Sequence, residues 1–209
     1  MAGLLPIIGP RIVLPGVLVG EGVDKKTQPV QVAQMVAFSI LVVSFVFLLF
    51  TKSPWLSLIP GIASAAYWGM MKDPEHTKMY RYGDWILTTP MILIAILIAN
   101  GSSVLSMIGI VALDLVMIAA GYFGSITTNE QHKIALFTLG CLVFLPILYT
   151  LFKMKKAKYA VYLTLVLWIL YPIVWYADEE KMISHNTGNI VYSVMDTIAK
   201  VGMVNLIQI

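Results

Sequence analysis

Charged residues are scarce in this sequence. Asp, Glu, Lys and Arg make up only 12% of its 209 residues, whereas 59% are hydrophobic, and the mean hydropathy is +0.84. Soluble domains carry about 25% charged residues on average, so this composition excludes an ordinary soluble domain. It predicts an integral membrane protein with room for one compact bundle.

Cysteine and clustered basic surface are scarce too. The single cysteine, Cys141, lies in an apolar run and has no second thiol in the chain with which to form a disulfide. The net charge is only +3, and no basic stripe alternates with aromatic residues, so nucleic acid is not an expected partner. No internal repeat is visible, which disfavours the symmetric halves of many transporters.

Long apolar runs are what the sequence has instead. A membrane-spanning helix needs roughly 20 apolar residues, and runs bounded by charges, Gly, Pro or Asn occupy residues 30–51, 54–72, 79–99, 103–125, 131–153, 157–177 and 188–208. We therefore expect an all-α membrane protein, a bundle of seven transmembrane helices joined by short loops. Residues 30–209 would form this bundle, and residues 1–29, which Pro6, Pro10 and Pro15 interrupt, would form an extracellular cap segment.

Charges between the predicted helices indicate the direction of the chain. If successive helices alternate in direction, the loop between the fifth and sixth carries Lys153, Lys155, Lys156 and Lys158, and cytoplasmic loops are enriched in Lys and Arg. The total of basic residues on the two sides is ambiguous, so the prediction depends on this cluster. It places the N-terminus outside the cell and the C-terminus in the cytoplasm of a multi-pass membrane protein.

Ionisable residues inside the predicted helices are few. The acids are Asp84, Asp114 and Asp196, the base is Lys200, and Arg81 enters the third helix near its start. Such side chains are costly in lipid and mark candidate functional sites. Asp196 and Lys200 are four residues apart and therefore share a helix face, as Arg81 and Asp84 do at a spacing of three.

A buried lysine that faces carboxylates has two plausible uses. It can form a structural ion pair, or it can be a nucleophile that forms a Schiff base with a carbonyl compound. An aromatic stripe of Trp168, Tyr171 and Trp175 on the sixth helix, with Trp85 on the third, is commonly core packing. At the depth of Lys200 it could also sandwich a flat conjugated molecule, and the residues alone leave these alternatives open.

Several segments together resemble the microbial (type I) rhodopsins, from about the second helix to the end of the chain. The strongest is Arg81-Tyr82-Gly83-Asp84-Trp85-Ile86-Leu87-Thr88-Thr89-Pro90, which resembles the third-helix motif of that family. The next is Asp196-Thr197-Ile198-Ala199-Lys200-Val201-Gly202, which resembles its seventh-helix attachment site. Shorter matches occur in order on the second, fourth and sixth helices: Leu58-Ile59-Pro60 with Tyr67, Asp114 with Met117 and Gly121, and Leu167-Trp168 with Tyr171-Pro172 and Trp175.

The resemblance implies a cofactor and a set of charges around it. Lys200 would bind all-trans retinal covalently as a protonated Schiff base, and Asp84 and Asp196 would be its counterions. Asp84 would also be the primary proton acceptor, with Thr88 as its hydrogen-bond partner. Arg81 would balance the second negative charge on the outer side.

The resemblance also implies a pocket around this attachment point, formed by Trp85 and Trp168 on the two faces of the polyene and by Met117, Gly121, Tyr171 and Trp175 near its ring. Tyr67 would donate a hydrogen bond to Asp196. Thr89 and Asp114 would form a hydrogen-bonded pair that links the third and fourth helices.

The third helix distinguishes activities within this family, and here its three informative positions are Asp84, Thr88 and Ala95. An acid at the first position disfavours a halide pump, and the complete set of charges on the outer side favours a light-driven outward proton pump. Ala95 stands where efficient pumps carry an acidic proton donor, so slow reprotonation is expected. The alternatives are a sensory photoreceptor and a light-gated cation channel; a second helix without acids disfavours the channel.

The expected partners follow from this assignment. They are the lipid bilayer, transported protons, further copies of the chain in a trimer or pentamer, and a transducer protein if the function is sensory. The chain is not expected to be an enzyme.

Overall fold

The computed structural model of the protein describes residues 28–51 and 54–207. In this part of the chain the helices are α1 (Gln28–Thr51), α2 (Pro54–Lys72), α3 (Thr77–Ala99), α4 (Val104–Ile126), α5 (Glu130–Phe152), α6 (Lys158–Glu179) and α7 (His185–Thr197), with a short 3₁₀ turn, Pro74–His76, before α3. A π-helical turn, Ile198–Gly202, continues α7 into α8, Met203–Leu206. A helical segment lies at each of the seven predicted positions, and the ends within the described residues agree to within three residues. The predicted cap, residues 1–29, lies outside the described residues except for its last two.

Most of the helices bury one stripe and leave the rest of their apolar surface outside, whereas α3 is buried over about half of its length. On α1 the buried residues recur every three or four positions, as one helix face requires: Val30, Gln34, Ala37, Leu41, Ser44 and Leu48. The opposite faces are apolar too, and large side chains such as Phe50 (84% exposed) and Leu105 (80%) stand open. Exposure of such a large apolar surface to water would be unfavourable, whereas the lipid of a membrane can solvate it.

Five helical segments are long and apolar enough, by length and composition, to cross a membrane within the described ranges: Gln28–Thr51, Pro74–Ala99, Val104–Ile126, Glu130–Phe152 and Lys158–Glu179. The segments from Pro54 and His185 are shorter or more polar. They carry buried polar side chains that face the interior of the bundle, such as Ser57 and Asn189. Their lower hydropathy therefore reflects polar side chains that are buried inside the bundle.

Helices that are neighbours in sequence pack side by side, and α7 packs against α1 to close the ring. A large apolar cluster fills the half of the bundle near the α5–α6 loop; it includes Leu93, Ile96, Leu151 and Met203. An aromatic cluster that includes Tyr82, Trp85 and Tyr192 fills the opposite half. The buried charges lie between these two clusters, enclosed by α2, α3, α6 and α7.

An ion pair joins three helices at the end of the bundle opposite the α5–α6 loop. The ammonium of Lys78 on α3 donates to Glu179 Oε1 on α6 at 2.7 Å, and also to the carbonyl oxygen of Ser125 in the last turn of α4 at 2.7 Å. A cation at a helix C-terminus also interacts favourably with the helix dipole. Lys78 thus holds α3, α4 and α6 together at this end.

Replacing Lys78 with Met should lower the free energy of unfolding by about 1 kcal/mol, because two charge-assisted hydrogen bonds are lost at a partly exposed site. The expected fall in the apparent Tm is roughly 2–4 °C, measured by thermal unfolding in detergent. Lys133→Met is the matched control, since its pair with Glu130 lies within one helix and Glu130 is 68% exposed. An equal fall for both variants would contradict the role given to Lys78.

Candidate functional site

Lys200 lies at the centre of the bundle, within the π-helical turn of the last helical segment, and is 2% exposed. Its Nζ atom is 3.0 Å from Asp84 Oδ2 on α3 and 3.0 Å from Asp196 Oδ1, one turn earlier on α7. Both carboxylates are buried. A buried ammonium would be very costly alone, and the two anions offset that cost.

Asp196 accepts many hydrogen bonds. Tyr67 Oη donates to its Oδ2 at 2.9 Å, and Tyr171 Oη and Trp85 Nε1 donate to its Oδ1 at 2.7 and 3.0 Å. The donors come from α2, α6 and α3, so four helices meet at this one carboxylate. These donors stabilise its charged form.

Asp84 accepts fewer hydrogen bonds than Asp196. The hydroxyl of Thr88, one turn on, lies 3.1 Å from Asp84 Oδ1 and 2.9 Å from the Asp84 carbonyl oxygen, so one proton is shared between two acceptors. Among the described residues Asp84 Oδ2 accepts no aligned hydrogen bond and has only the ion-pair contact to Lys200. Of the two anions, Asp84 is therefore the one whose charge depends most on Lys200.

A cavity of about 110 Å³ extends from Lys200 between α3, α4, α5 and α6. Its lining is mostly apolar or aromatic and includes these residues expected from the sequence: Trp85, Thr89, Met117, Gly121, Trp168, Tyr171, Trp175, Asp196 and Lys200. A Cβ atom on Gly121 would lie 3.2 Å from the ring of Tyr82, so a larger residue would crowd this part of the lining. Asp84, Thr88, Arg81, Tyr67 and Asp114 are not among the lining residues, and they lie behind or beside it.

Thr89 and Asp114 lie together at the side of the cavity. The Thr89 hydroxyl donates to Asp114 Oδ2 at 2.7 Å and links α3 to α4. Asp114 Oδ1 is buried and has no protein partner in the described chain. Because neither carboxylate oxygen of Asp114 contacts Lys200, this acid is separate from the two that pair with the lysine.

The guanidinium of Arg81 contacts neither of the carboxylates that pair with Lys200. Its Nη2 donates to Asn189 Oδ1 at 2.6 Å, and its Cζ lies 4.4 Å from the centroid of the Tyr192 ring. No carboxylate oxygen lies within 4.0 Å of it in the described part of the chain. The structure thus places Arg81 beside the counterions without direct contact.

Asn189 and Tyr192 are site residues that the sequence analysis missed, as are Phe137 and Phe144 in the cavity lining. For the first two a signal was present. Positions 189, 192, 196 and 200 recur every three or four residues, so all four lie on the face of the last helix that carries Asp196 and Lys200. For Phe137 and Phe144 there was no such signal, because α5 is apolar on all sides.

The cavity has the features required to hold a long, flat, apolar aldehyde. Aromatic rings form a large part of its otherwise mostly apolar walls, Lys200 contributes an amine to the lining, and two carboxylates lie at that amine. Aromatic faces stack on conjugated systems, and a buried amine is a potential Schiff-base nucleophile. The residues present therefore fit a retinal-type group.

Comparison with known proteins decides the family. The model of a family described as bacteriorhodopsin-like protein matches residues 17–207, nearly the whole chain. The chain belongs to this family. Its members are the microbial rhodopsins, which bind retinal, so the resemblance inferred from the motifs is confirmed and the protein is an integral, multi-pass membrane protein.

Relatives with different activities resemble this rhodopsin to a similar extent. Sensory rhodopsin-2 of Haloarcula vallismortis is 29% identical over 177 residues, covering 73% of this chain and 75% of its own. Bacteriorhodopsin of Halobacterium salinarum is 27% identical over 172 residues, covering 70% and 66%. The solved structure of the light-driven proton pump of Coccomyxa subellipsoidea superimposes with a TM-score of 0.77 at 26% identity, covering 86% of this chain and 96% of that one.

Proposed function

We propose that this rhodopsin binds all-trans retinal covalently at Lys200 and is a light-driven outward proton pump. The single observation that supports this most is the position of Asp84, whose carboxylate lies 3.0 Å from Lys200 Nζ. Asp84 has few other donors, so it is the better base of the two carboxylates. Asp196, held by three side-chain donors, is expected to remain ionised.

Bound retinal supplies light absorption and the isomerisation that reorients the N–H bond at Lys200. Once attached, the nitrogen carries a single N–H, so it can donate to only one of its two present neighbours at a time. Asp84 is positioned to take that proton, and Thr88 stabilises its carboxylate until then. The positive charge of Arg81 lies on the outer side and favours the ionised state of both acids.

Return of a proton to Lys200 would come from the other half of the bundle. Ala95 is fully buried there and packs in the apolar cluster with Leu93 and Ile96. No carboxylate lies in that half among the described residues, because the buried acids are Asp84, Asp114 and Asp196. Reprotonation is therefore expected to be slow and to depend on protons from bulk water.

A sensory photoreceptor is the second candidate, and Ala95 is the observation that favours it. A sensor needs a long-lived signalling state rather than fast turnover, and an apolar path to Lys200 prolongs the deprotonated state. Sensory rhodopsin-2 is among the relatives by sequence. In that case a transducer protein would be the partner, whereas a pump requires only the bilayer and protons.

The direction of the chain and its assembly belong to the same proposal. The cytoplasmic side would be the end that carries Lys153, Lys155 and Lys156, all exposed, which places the N-terminus outside. A trimer or pentamer is the expected assembly, and size-exclusion chromatography with light scattering in mild detergent measures it.

Illumination of retinal-supplied cells that express the protein tests the proposal. Acidification of the medium that an uncoupler abolishes is the expected result. A pigment with a complete photocycle but no change in external pH would contradict pumping and favour the sensor. A passive current that reverses with the applied voltage would favour a channel instead.

Ala95→Asp should accelerate the return of the proton by at least about tenfold, because a carboxyl group in the apolar half can act as an internal donor. The decay of the deprotonated pigment, followed by flash spectroscopy, measures this. In the wild type that decay should slow by about tenfold per pH unit as the pH rises, and Ala95→Asp should flatten the dependence. Ala95→Asn is the matched control, since it is polar but has no proton to donate, and equal acceleration by both variants would contradict the prediction.

A further inference from the structure

The side chain of Arg81 is held by two residues of α7, Asn189 and Tyr192. Arg81 is 3% exposed and Asn189 is 6% exposed, so their 2.6 Å hydrogen bond is shielded from solvent. The Tyr192 ring packs against the guanidinium at 4.4 Å. Together they hold a buried cation at one position, one turn inside the outer end of α3.

The chemistry of this contact is unusual for a buried arginine. A guanidinium has five N–H donors and no acceptor, so the atom it contacts on Asn189 must be the amide oxygen. That oxygen is neutral, whereas buried arginines are generally paired with carboxylates. Asn189 therefore fixes the position of the charge of Arg81 without cancelling it.

We propose that Asn189 is a positioning residue that keeps the Arg81 guanidinium on the outer side, separated from Asp84 and Asp196 and still fully charged. The inference rests on the proposed retinal attachment only because its main test measures the absorption of the retinal pigment. Without Asn189, the guanidinium would be drawn to the carboxylates on its inner side: Asp84, three residues further along the same helix, and Asp196, with which Arg81 already interacts electrostatically. With an acid in place of Asn189, the charge of Arg81 would be cancelled where it stands.

Two substitutions at this position should therefore act in opposite directions. The measurement is the pH at which half of the pigment shifts to longer wavelength because Asp84 becomes protonated. Asn189→Leu lets the guanidinium approach the carboxylates, so this midpoint should fall by about one pH unit. Asn189→Asp cancels the cation and adds an anion, so the midpoint should rise by about one pH unit.

Other charged and titratable groups surround Asp84 and remain unchanged in both variants. They come from its own helix and from the helices around it: Arg81 on α3, Tyr67 on α2, Asp114 on α4, Tyr171 and Asp178 on α6, and Tyr192, Asp196 and Lys200 on the last helical segment. A general loosening of the bundle would alter the environment of all of them alike in the two variants. Shifts of opposite sign are therefore not expected from a purely structural role.

A double substitution tests whether the effect acts through Arg81. In an Arg81→Gln background, Asn189→Leu should cause no further shift of the midpoint, since the guanidinium it would release is gone. Shifts of the same sign for the Leu and Asp variants, or an undiminished shift of Asn189→Leu in the Arg81→Gln background, would overturn the inference.

The outcome is separable from that of the proposed function. If the wild-type chain forms no visible pigment with retinal, the proposed function fails, and an experimental structure of the Asn189→Leu protein then tests the inference directly. That structure should show the Arg81 guanidinium displaced from the Tyr192 ring towards Asp84 or Asp196. A guanidinium that remains 4.4 Å from the ring would overturn the inference with or without pigment.

Discussion

Replacement of Lys200 by Ala is expected to abolish the visible pigment completely. Lys200 is the one amine that lines the cavity among the described residues, and covalent attachment of an aldehyde requires an amine there. Membranes that contain the variant, incubated with all-trans retinal, should show only the near-ultraviolet absorption of the free aldehyde. The wild type should develop a visible band.

Lys158→Ala is the matched control for this experiment. Lys158 is exposed at the first position of α6 and lies at the end of the bundle, far from the cavity lining. Its loss should leave the visible band unchanged, and the two variants should elute alike from a sizing column if both fold. A visible band in the Lys200→Ala variant that survives acid denaturation would falsify covalent attachment at this residue.

Replacement of Asp84 by Asn should have the second largest effect. It should reduce light-driven acidification by at least about tenfold, since the group positioned to take the proton from Lys200 is lost. It should also move the absorption maximum to longer wavelength. An anion 3.0 Å from the nitrogen stabilises positive charge at that atom. In the excited state the positive charge is displaced from the nitrogen, so the anion lowers the energy of the ground state more than that of the excited state, and its removal narrows the gap between them. Flash spectroscopy and external pH recording measure the two effects.

Asp114→Asn is the control for Asp84→Asn, because it makes the same chemical change at another buried acid. Asp114 bonds to Thr89 and makes no contact with Lys200. Its variant should keep the acidification signal within about twofold and shift the absorption much less. Equal loss of pumping in both variants would mean that the proton acceptor is not determined by proximity to Lys200.

The helices and the charged face of the last segment could be predicted from the sequence for a simple reason. Apolar runs of fixed length determine where helices cross a membrane, since every backbone polar group must be bonded within the span. The spacing of four residues between Asp196 and Lys200 then places both on one face whatever the rest of the bundle does. The ion pair at 3.0 Å is local in this sense.

The π-helical turn at Ile198–Gly202 could not be predicted in the same way. An apolar periodicity does not distinguish an α-helix from one with a single wider turn, because the pattern shifts by only one residue. The turn matters for the site, since it carries Lys200 and therefore affects how the ammonium is directed between two helices.

The sequence by itself determined that this chain is a membrane bundle with a lysine and three acids inside it, because composition and spacing along one helix do not depend on neighbours. Only the tertiary structure decided how those acids differ. Asp196 accepts a hydrogen bond from Trp85, which is 111 residues away in the chain, whereas the side chain of Asp84 contacts little beyond Thr88 and Lys200. It also decided that Arg81 bonds to Asn189, 108 residues away. Such contacts depend on the rotation of each helix about its axis, and that rotation is set by the packing of the whole bundle.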